Sequence, residues 1–204
     1  MPKSSILLAM KNIIEKAENG TVFVASDFAE ISENAKIGVS LSRLEEEGII
    51  RRVLHGVYYK PEYNSFLCEY IAPSADNVAR AIARNFGWTI VPCGDTALNL
   101  LGLSTQVPAV WLYVSDGAYK EYSYEKTVIR FKRTTNKEIS KLSYKTALVV
   151  QAIKAIGKEK ITYEDIGRIT KQLSAVEKDK MLVEAKAVTS WVYEIIKDIC
   201  RGNK

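Results

Sequence analysis

The first 60 residues alternate between two patterns of apolar and polar positions. Apolar side chains that recur every three or four residues are typical of an amphipathic helix, and short or alternating apolar runs are typical of a strand. The pattern predicts a helix at 5–18, a strand at 21–24, a one- to two-turn helix at 27–31, a helix at 34–47, and strands at 49–54 and 57–60. We expect Ser26 to cap the short helix and His55-Gly56 to form the turn between the last two strands.

This order of elements is that of a winged helix-turn-helix. In such a domain the helix at 34–47 would enter the major groove of DNA, and the hairpin after it would form the wing. We therefore predict a winged helix-turn-helix DNA-binding domain over residues 1–62.

The remainder of the chain mixes helical and strand patterns. They predict helices at 75–86, 95–101, 143–156, 163–173 and 176–199, and strands at 88–91, 110–114 and 127–131. Ser174 and Glu177 form a capping box for the last helix, which we expect to break near Thr189. The chain is thus predicted to be α/β (α+β), with a second, mixed domain over residues 70–204 that ends in a helical bundle at about 139–204. The boundary is expected between Pro61 and Pro73.

Composition is that of an ordinary folded protein, with 47% hydrophobic and 26% charged residues. Because no apolar run is long enough to span a membrane and no signal peptide opens the chain, we expect a cytoplasmic protein. The three cysteines are widely spaced and His55 is the only histidine, so neither a disulfide framework nor a zinc site is expected. No nucleotide-binding or nucleophile motif is visible, and we expect no catalytic residue, metal or cofactor.

Positive charge is concentrated in the middle of the chain. The net charge of +5 suggests a polyanionic partner, yet residues 1–64 hold eight Lys/Arg against nine Asp/Glu. Residues 118–145 hold eight Lys/Arg against three Glu, and tyrosines alternate with the cations over 119–133. Such a segment suits an exposed hairpin, or a surface for nucleic acid or an acidic protein. The candidate accessory phosphate or partner contacts are Lys120, Lys126, Arg130, Lys132 and Arg133.

The helix at 34–47 leaves a polar face on its N-terminal half, because Ile37, Leu41 and Leu44 recur at core spacing. The candidate DNA contacts on that face are Asn34, Lys36, Val39, Ser40 and Arg43. Asn can pair with adenine, Arg with guanine or phosphate, and Val with the thymine methyl group. Gly38 lowers helix propensity by roughly 1 kcal/mol relative to Ala, which is easier to explain if a ligand approaches the backbone there. A protein–protein module would present a similar face, and the helix alone leaves both interpretations open.

The strand after this helix carries Arg51 and Arg52, and at least one of them must point to solvent because side chains alternate along a strand. With His55 they complete the candidate DNA contacts and give the wing a positive edge. An edge strand charged against sheet-to-sheet pairing would look the same. Residues 45–47 are all glutamates, which would repel phosphate, so we expect them to point away from DNA.

Several motifs in the first two thirds of the chain resemble a known family. They are G-x-V-F-x-x-S-D-F at 20–28, LSRLEEEGIIRR at 41–52, HGVYYKP at 55–61 and ALNLLGLSTQVPA at 97–109. Together they look like the AbiEi-type transcriptional regulators, the antitoxins of prokaryotic abortive-infection (type IV) toxin–antitoxin systems. The resemblance covers residues 1 to about 137.

The resemblance implies an N-terminal winged helix that represses its own operon by binding an inverted-repeat operator, with two copies paired on the DNA. It also implies a second domain that counteracts a nucleotidyltransferase toxin. We therefore expect a non-enzymatic DNA-binding repressor and antitoxin. Two alternatives stay open: a protein-interaction module that binds a toxin directly without binding DNA, and an RNA-binding protein.

Overall fold

The computed structural model describes residues 3–134, 139 and 141–202 of the 204-residue chain. The chain folds as two compact units, residues 1–88 and 89–204. Each unit combines helices with a small sheet, so the predicted mixed α/β class is confirmed. Within the described residues, no helix has the length and apolar character needed to cross a membrane.

The first unit contains a three-stranded sheet, a separate hairpin and three helices of more than ten residues. In chain order its elements are α1 (Lys3–Lys16), β1 (Val22–Val24), a 3-10 turn (Ala25–Phe28), α2 (Asn34–Glu46), β2 (Arg51–Leu54), β3 (Val57–Tyr59), β4 (Glu62–Asn64), β5 (Glu69–Ile71) and α3 (Ala75–Phe86). The antiparallel sheet has the strand order β1-β3-β2, and β4 pairs only with β5. The predicted helices at 5–18 and 34–47 and the three predicted strands are present, with ends displaced by at most two residues.

The core of the first unit lies between α1, α2 and the sheet. Its buried side chains come from positions three or four residues apart on each helix, as the apolar spacing predicts. They are Ile6, Met10 and Ile14 of α1, and Ile37, Leu41 and Leu44 of α2, together with Phe23, Phe28, Ile50 and Tyr58. The predicted core face of α2 is therefore confirmed, and its opposite face is turned to solvent.

The segment after β1 differs from the prediction. Instead of a helix at 27–31 capped by Ser26, a single 3-10 turn spans Ala25–Phe28. The carboxylate of Asp27 accepts a hydrogen bond from the backbone N–H of Val24 at 2.9 Å. Ser26 lies inside this turn rather than before it, and Asp27 satisfies the free N–H donor at its start.

Helix α3 lies in the first unit, beyond the boundary expected between Pro61 and Pro73. It packs on β1, β3 and the 3-10 turn. The guanidinium of Arg84 pairs with Asp27 at 3.0 Å and donates to the carbonyl of Val22 at 3.1 Å. The helix begins after Ser74, whose hydroxyl accepts the N–H of Asn77, and ends at Gly87. The hairpin between β3 and α3 was not predicted.

The second unit contains a four-stranded sheet followed by helices. Its elements are β6 (Ile90–Pro92), α4 (Asp95–Leu100), β7 (Val110–Ser115), β8 (Lys120–Tyr124), β9 (Thr127–Arg133), α5 (Tyr144–Ile156), α6 (Tyr163–Lys171), α7 (Ala175–Glu184), a 3-10 turn (Ala185–Ala187) and α8 (Ser190–Arg201). The strand order is β6-β7-β9-β8; β7 and β9 run parallel, and the other pairs are antiparallel. The basic, tyrosine-rich segment is the β8–β9 hairpin, whose turn includes Glu125 at a φ of 48°. The predicted break near Thr189 is confirmed.

The helices of the second unit enclose a continuous apolar core. Its members include Leu148, Val149 and Ile153 of α5, Ile166 and Ile169 of α6, Met181 of α7, and Val192, Ile196 and Ile199 of α8. The predicted capping box at the start of α7 is present, since Ser174 accepts the N–H of Glu177 and the Glu177 carboxylate accepts the N–H of Ser174.

Candidate nucleic-acid interface

The outer face of α2 lines a groove of about 270 Å³ beside α1. We call it the α1–α2 groove, and its lining residues are Ile6, Ala35, Lys36, Val39, Ser40 and Arg43. Val39 is 53% exposed although it is apolar, whereas Ile6 is buried. The groove brings together four of the residues predicted to contact DNA, on a helix whose other face is anchored in the core.

The groove has cations at its rim. Lys36 lies 3.6 Å from the carboxylate of Glu33, and both side chains are more than half exposed, so this pair is weak. Arg43 is exposed, and it has no ion-pair partner among the residues that the structure describes. An apolar centre with cations beside it is complementary to a DNA groove, in which base edges lie between two rows of phosphates.

Ser40 does not lie on the exposed face, and its prediction as an exposed DNA contact is wrong. It is only 7% exposed, and its hydroxyl donates to the backbone carbonyl of Lys36 at 3.0 Å. The cause is the helical period, because Ser40 is three residues after Ile37 and four before Leu44 and so falls on the buried side. Only the edge of its side chain reaches the groove.

The wing hairpin, β2–β3, carries the second group of predicted contacts. Arg51 and Arg52 are both exposed on β2, which is an edge strand of the sheet. The guanidinium carbon of Arg51 lies 4.2 Å from the ring centre of Tyr70, and that of Arg52 lies 5.3 Å from the ring centre of Tyr58. Both arginines line a hollow of about 300 Å³, the wing hollow, with Glu45, Gly48, Ile50 and Tyr70.

Glu45 does not point away from the predicted DNA contacts as expected. Its carboxylate accepts a hydrogen bond from Arg52 at 2.6 Å. The chain leaves α2 and reverses at Gly48, whose φ is 73°, and this reversal brings residue 45 beside residue 52. One of the two wing arginines is therefore neutralised by an acidic partner.

Asn34 and His55 are exposed but line neither hollow. Asn34 is the first residue of α2, and His55 lies in the turn of the wing hairpin. Both side chains are accessible to a ligand. Of the predicted contacts, Lys36, Val39 and Arg43 are therefore the ones that are exposed and also line the α1–α2 groove.

The predicted accessory contacts lie on the β8–β9 hairpin of the second unit. Lys120, Lys126, Lys132 and Arg133 are exposed. Arg130 is half-buried and forms an ion pair with Glu121 across the hairpin at 2.6 Å. The hairpin thus presents cations at its turn and at the end of β9, and Arg130 mainly stabilises the strand pair.

Residues 9–181 of the chain match DUF6088, a family of unknown function. The protein belongs to DUF6088. No curated protein matches it. The region that matches DUF6088 includes the whole of α2, the wing hairpin and the β8–β9 hairpin; of the residues that line the α1–α2 groove, Ile6 lies outside it.

In this DUF6088 chain, the sequence patterns missed the β4–β5 hairpin. Its apolar side chains are exposed: Phe66 is 92% exposed, Leu67 56% and Tyr63 55%. The side-chain oxygen of Asn64 accepts the N–H groups of Phe66 and Leu67, which orders the tip. The sequence does contain a hairpin signal. A Glu-Tyr pair occurs at 62–63 and again at 69–70, and the turn-forming residues Asn64 and Ser65 lie between the two pairs.

The cysteines of the DUF6088 chain differ in environment. Burial raises the pKa of Cys93 to about 11, and the nearby charge of Lys132 opposes this only in part. Burial likewise raises the pKa of Cys200. A thiol attacks as the thiolate, so burial disfavours the reactive form of Cys93 near neutral pH. Cys68 is exposed on the β4–β5 hairpin.

Proposed function

We propose that the protein binds double-stranded DNA sequence-specifically and regulates transcription of its own operon. The observation that carries this proposal is the α1–α2 groove, an exposed helix face with an apolar centre and cations at its rim. The major groove admits one α-helix and presents base edges and methyl groups to it. The order α1, β1, 3-10 turn, α2, β2, β3 supports a winged helix, which is part of this proposal.

Each exposed residue has a role in this proposal. Arg43 and Asn34 read base edges, because guanidinium and amide groups pair with guanine and adenine. Lys36 and Arg51 contact phosphates and set the position of the protein on the duplex. Arg52 contributes less, since Glu45 already binds it. Two copies on an inverted repeat would place their α2 helices about 34 Å apart, or a multiple of that distance.

The resemblance to AbiEi-type regulators supports a second part of the proposal, that the protein counteracts a nucleotidyltransferase toxin encoded beside it. A cytoplasmic location belongs to the same proposal. Co-expression with the neighbouring gene product tests it. We expect the chain to restore growth of cells that express that product, and continued growth arrest would contradict the antitoxin role.

Arg43→Ala provides the direct test of DNA binding. Because Arg43 is the exposed cation of the groove that has no ion-pair partner in the described part of the chain, its loss should cost about 1–3 kcal/mol of affinity for the DNA upstream of the gene. Fluorescence anisotropy with that duplex and with a scrambled duplex measures the effect. Arg168→Ala removes an exposed arginine of α6 and is the matched control. Equal affinities for the wild type and Arg43→Ala would contradict this assignment of contacts.

A protein-interaction module is the second candidate, and the exposed apolar tip of the β4–β5 hairpin favours it. Its partner would be the neighbouring toxin. Stable co-purification of that toxin, together with equal affinity for upstream and scrambled DNA, would support this candidate. An RNA duplex of the upstream sequence in the anisotropy assay separates the RNA-binding alternative from DNA binding.

A further inference from the structure

Gly38 lies in the middle of α2, and nothing within the protein requires a glycine there. Its φ is outside the left-handed range that favours glycine. A Cβ added at this position would meet no atom within 4 Å. Glycine is a poor helix former because it loses the most backbone freedom on folding. The protein therefore accepts a weaker helix at a position that does not itself line the α1–α2 groove but adjoins Val39, which does.

We propose that Gly38 allows the backbone of α2 to approach the base edges of DNA closely, and that Val39 then contacts the 5-methyl group of a thymine. This inference rests on the proposed DNA-binding function and adds the chemical group that the helix reads. A helix without a Cβ at the contact lies closer to its ligand. The thymine methyl is the apolar group that the major groove displays.

The cations of the groove, Lys36 and Arg43, favour DNA as the ligand that contacts Val39. Lys36, Val39 and Arg43 are three and four residues apart, so the exposed valine lies between two cations along the helix surface. Cations on both sides of an apolar contact match a methyl group that lies between two phosphate backbones. An apolar peptide would leave Arg43 without an ion-pair partner among the residues that the structure describes, whereas a phosphate would supply one.

The serines near Gly38 favour an apolar contact over a polar one. The hydroxyl of Ser42 donates to the carbonyl of Gly38 at 3.2 Å, and that of Ser40 donates to the carbonyl of Lys36 at 3.0 Å. Their donors are thus used within the helix. The groove residues Ala35 and Val39 offer methyl groups to base edges.

Gly38→Ala tests close approach in the full chain, and Gly167→Ala is its matched control. Gly167 lies in α6, also outside the left-handed range, and a Cβ there also meets no atom within 4 Å. Both substitutions should raise the melting temperature, since alanine is the better helix former. Gly38→Ala should weaken binding to the upstream DNA about tenfold, whereas Gly167→Ala should leave it unchanged. Wild-type affinity in Gly38→Ala would overturn close approach.

Deoxyuridine substitution tests the methyl contact. Deoxyuridine pairs like thymidine and lacks only the 5-methyl group, so each thymidine of the protected sequence is replaced in turn. At one position the wild type should lose about fourfold in affinity, the effect of one buried methyl group. Val39→Ala should show no such loss at that position. Wild-type affinity at every substituted position, or equal loss in Val39→Ala, would overturn the contact.

The binding measurements distinguish failure of the DNA-binding function from failure of the close approach and the methyl contact. If the wild type prefers upstream over scrambled DNA, but neither Gly38→Ala nor any deoxyuridine substitution lowers the affinity, the inference is wrong and the proposed function stands. If the wild type shows no preference for upstream DNA, both are wrong.

Discussion

At the scale of residues, the ion pair between Glu45 and Arg52 lowers the positive charge of the wing hairpin. Their side chains are 31% and 41% exposed, so water screens the pair and its net contribution to stability is small, about 0–1 kcal/mol. Its effect on a ligand is larger, because it removes one positive charge from the edge that faces solvent. In the proposed complex, Glu45 therefore limits the attraction of the wing for phosphate.

Glu45→Gln should strengthen non-specific DNA binding and make it more sensitive to salt. Freed from the carboxylate, Arg52 can neutralise one more phosphate, which steepens the slope of log K against log salt concentration by about 0.9. Arg51→Ala should flatten the slope by a similar amount. Anisotropy titrations at several salt concentrations measure both slopes.

Glu46→Gln is the control for this experiment, because it removes the same charge from an exposed neighbour that does not contact Arg52. A slope that changes equally in Glu45→Gln and Glu46→Gln would show that net charge alone, and not release of Arg52, controls binding.

Residue positions could be predicted from the sequence where the helical period fixes them. Ile37, Leu41 and Leu44 are buried as their spacing indicates, and Val39 and Arg43 are exposed. The contact of Glu45 with Arg52 could not be predicted, because it depends on the direction in which the chain reverses at Gly48. A glycine permits a positive φ, but it does not indicate which side chains meet after the chain reverses.

At the scale of elements, Glu184 joins the end of α7 to the start of α5. Its carboxylate accepts the N–H and the hydroxyl of Ser143 at 3.0 Å and 2.7 Å. Burial acts to raise the pKa of Glu184, but hydrogen bonds from Thr146 and Ser143 outweigh it, and the pKa lies below its ordinary value. The ionised carboxylate therefore caps α5 from another helix.

Glu184→Gln should destabilise the second unit in a pH-dependent way. The folded pKa is lower than the unfolded one, so the stabilisation is full above the unfolded pKa of about 4.3 and is lost as pH falls through the folded pKa. We expect a decrease of about 1–3 kcal/mol in the free energy of unfolding at neutral pH, and a smaller one at an acid pH at which the wild-type carboxyl is protonated in both states. Urea denaturation at both pH values measures it.

Glu159→Gln, at an exposed position, is the control and should change stability little at either pH. Equal destabilisation by Glu184→Gln at neutral and acid pH would argue against an ionised cap.

Elements with long periodic patterns or continuous buried apolar runs were predictable, and short exposed ones were not. The capping box at Ser174 and the break near Thr189 follow from local chemistry that a sequence displays. The three-residue strands β1 and β3 are runs of buried side chains and were predicted, whereas β4 and β5 are largely exposed and contain no such run. The parallel pairing of β7 with β9 is set by tertiary contacts, which no local pattern encodes.

At the scale of the whole molecule, α3 determines how much of the chain is needed for the first unit to fold. Its buried face includes Val78, Ala79 and Ile82, and Arg84 ties it to Asp27. A boundary drawn after β3 would therefore expose apolar surface of β1 and break an ion pair. The patterns did not reveal this, because they assign α3 as a helix without indicating which sheet it covers.

A fragment of residues 1–88 should unfold cooperatively, whereas a fragment of residues 1–62 should be less stable by at least about 3 kcal/mol. The burial of Val78 and of Ile82 contributes ~1.5–3 kcal/mol each to the free energy of unfolding, and the shorter fragment lacks both. Thermal melting followed by circular dichroism measures the difference. Equal midpoints for the two fragments would place the boundary near residue 62 and contradict the role of α3.

The strand order of the second sheet has a consequence for the sequence of folding events. Strands β8 and β9 are separated by a short turn. Strands β7 and β9 pair in parallel, and the whole of β8 lies between them in the sequence. Hairpins close within microseconds, and pairings between distant segments form more slowly because a longer loop must be ordered first. We therefore expect the tyrosine-rich hairpin to nucleate this sheet and β7 to join it afterwards, so that the basic hairpin is also the first part of the sheet to form.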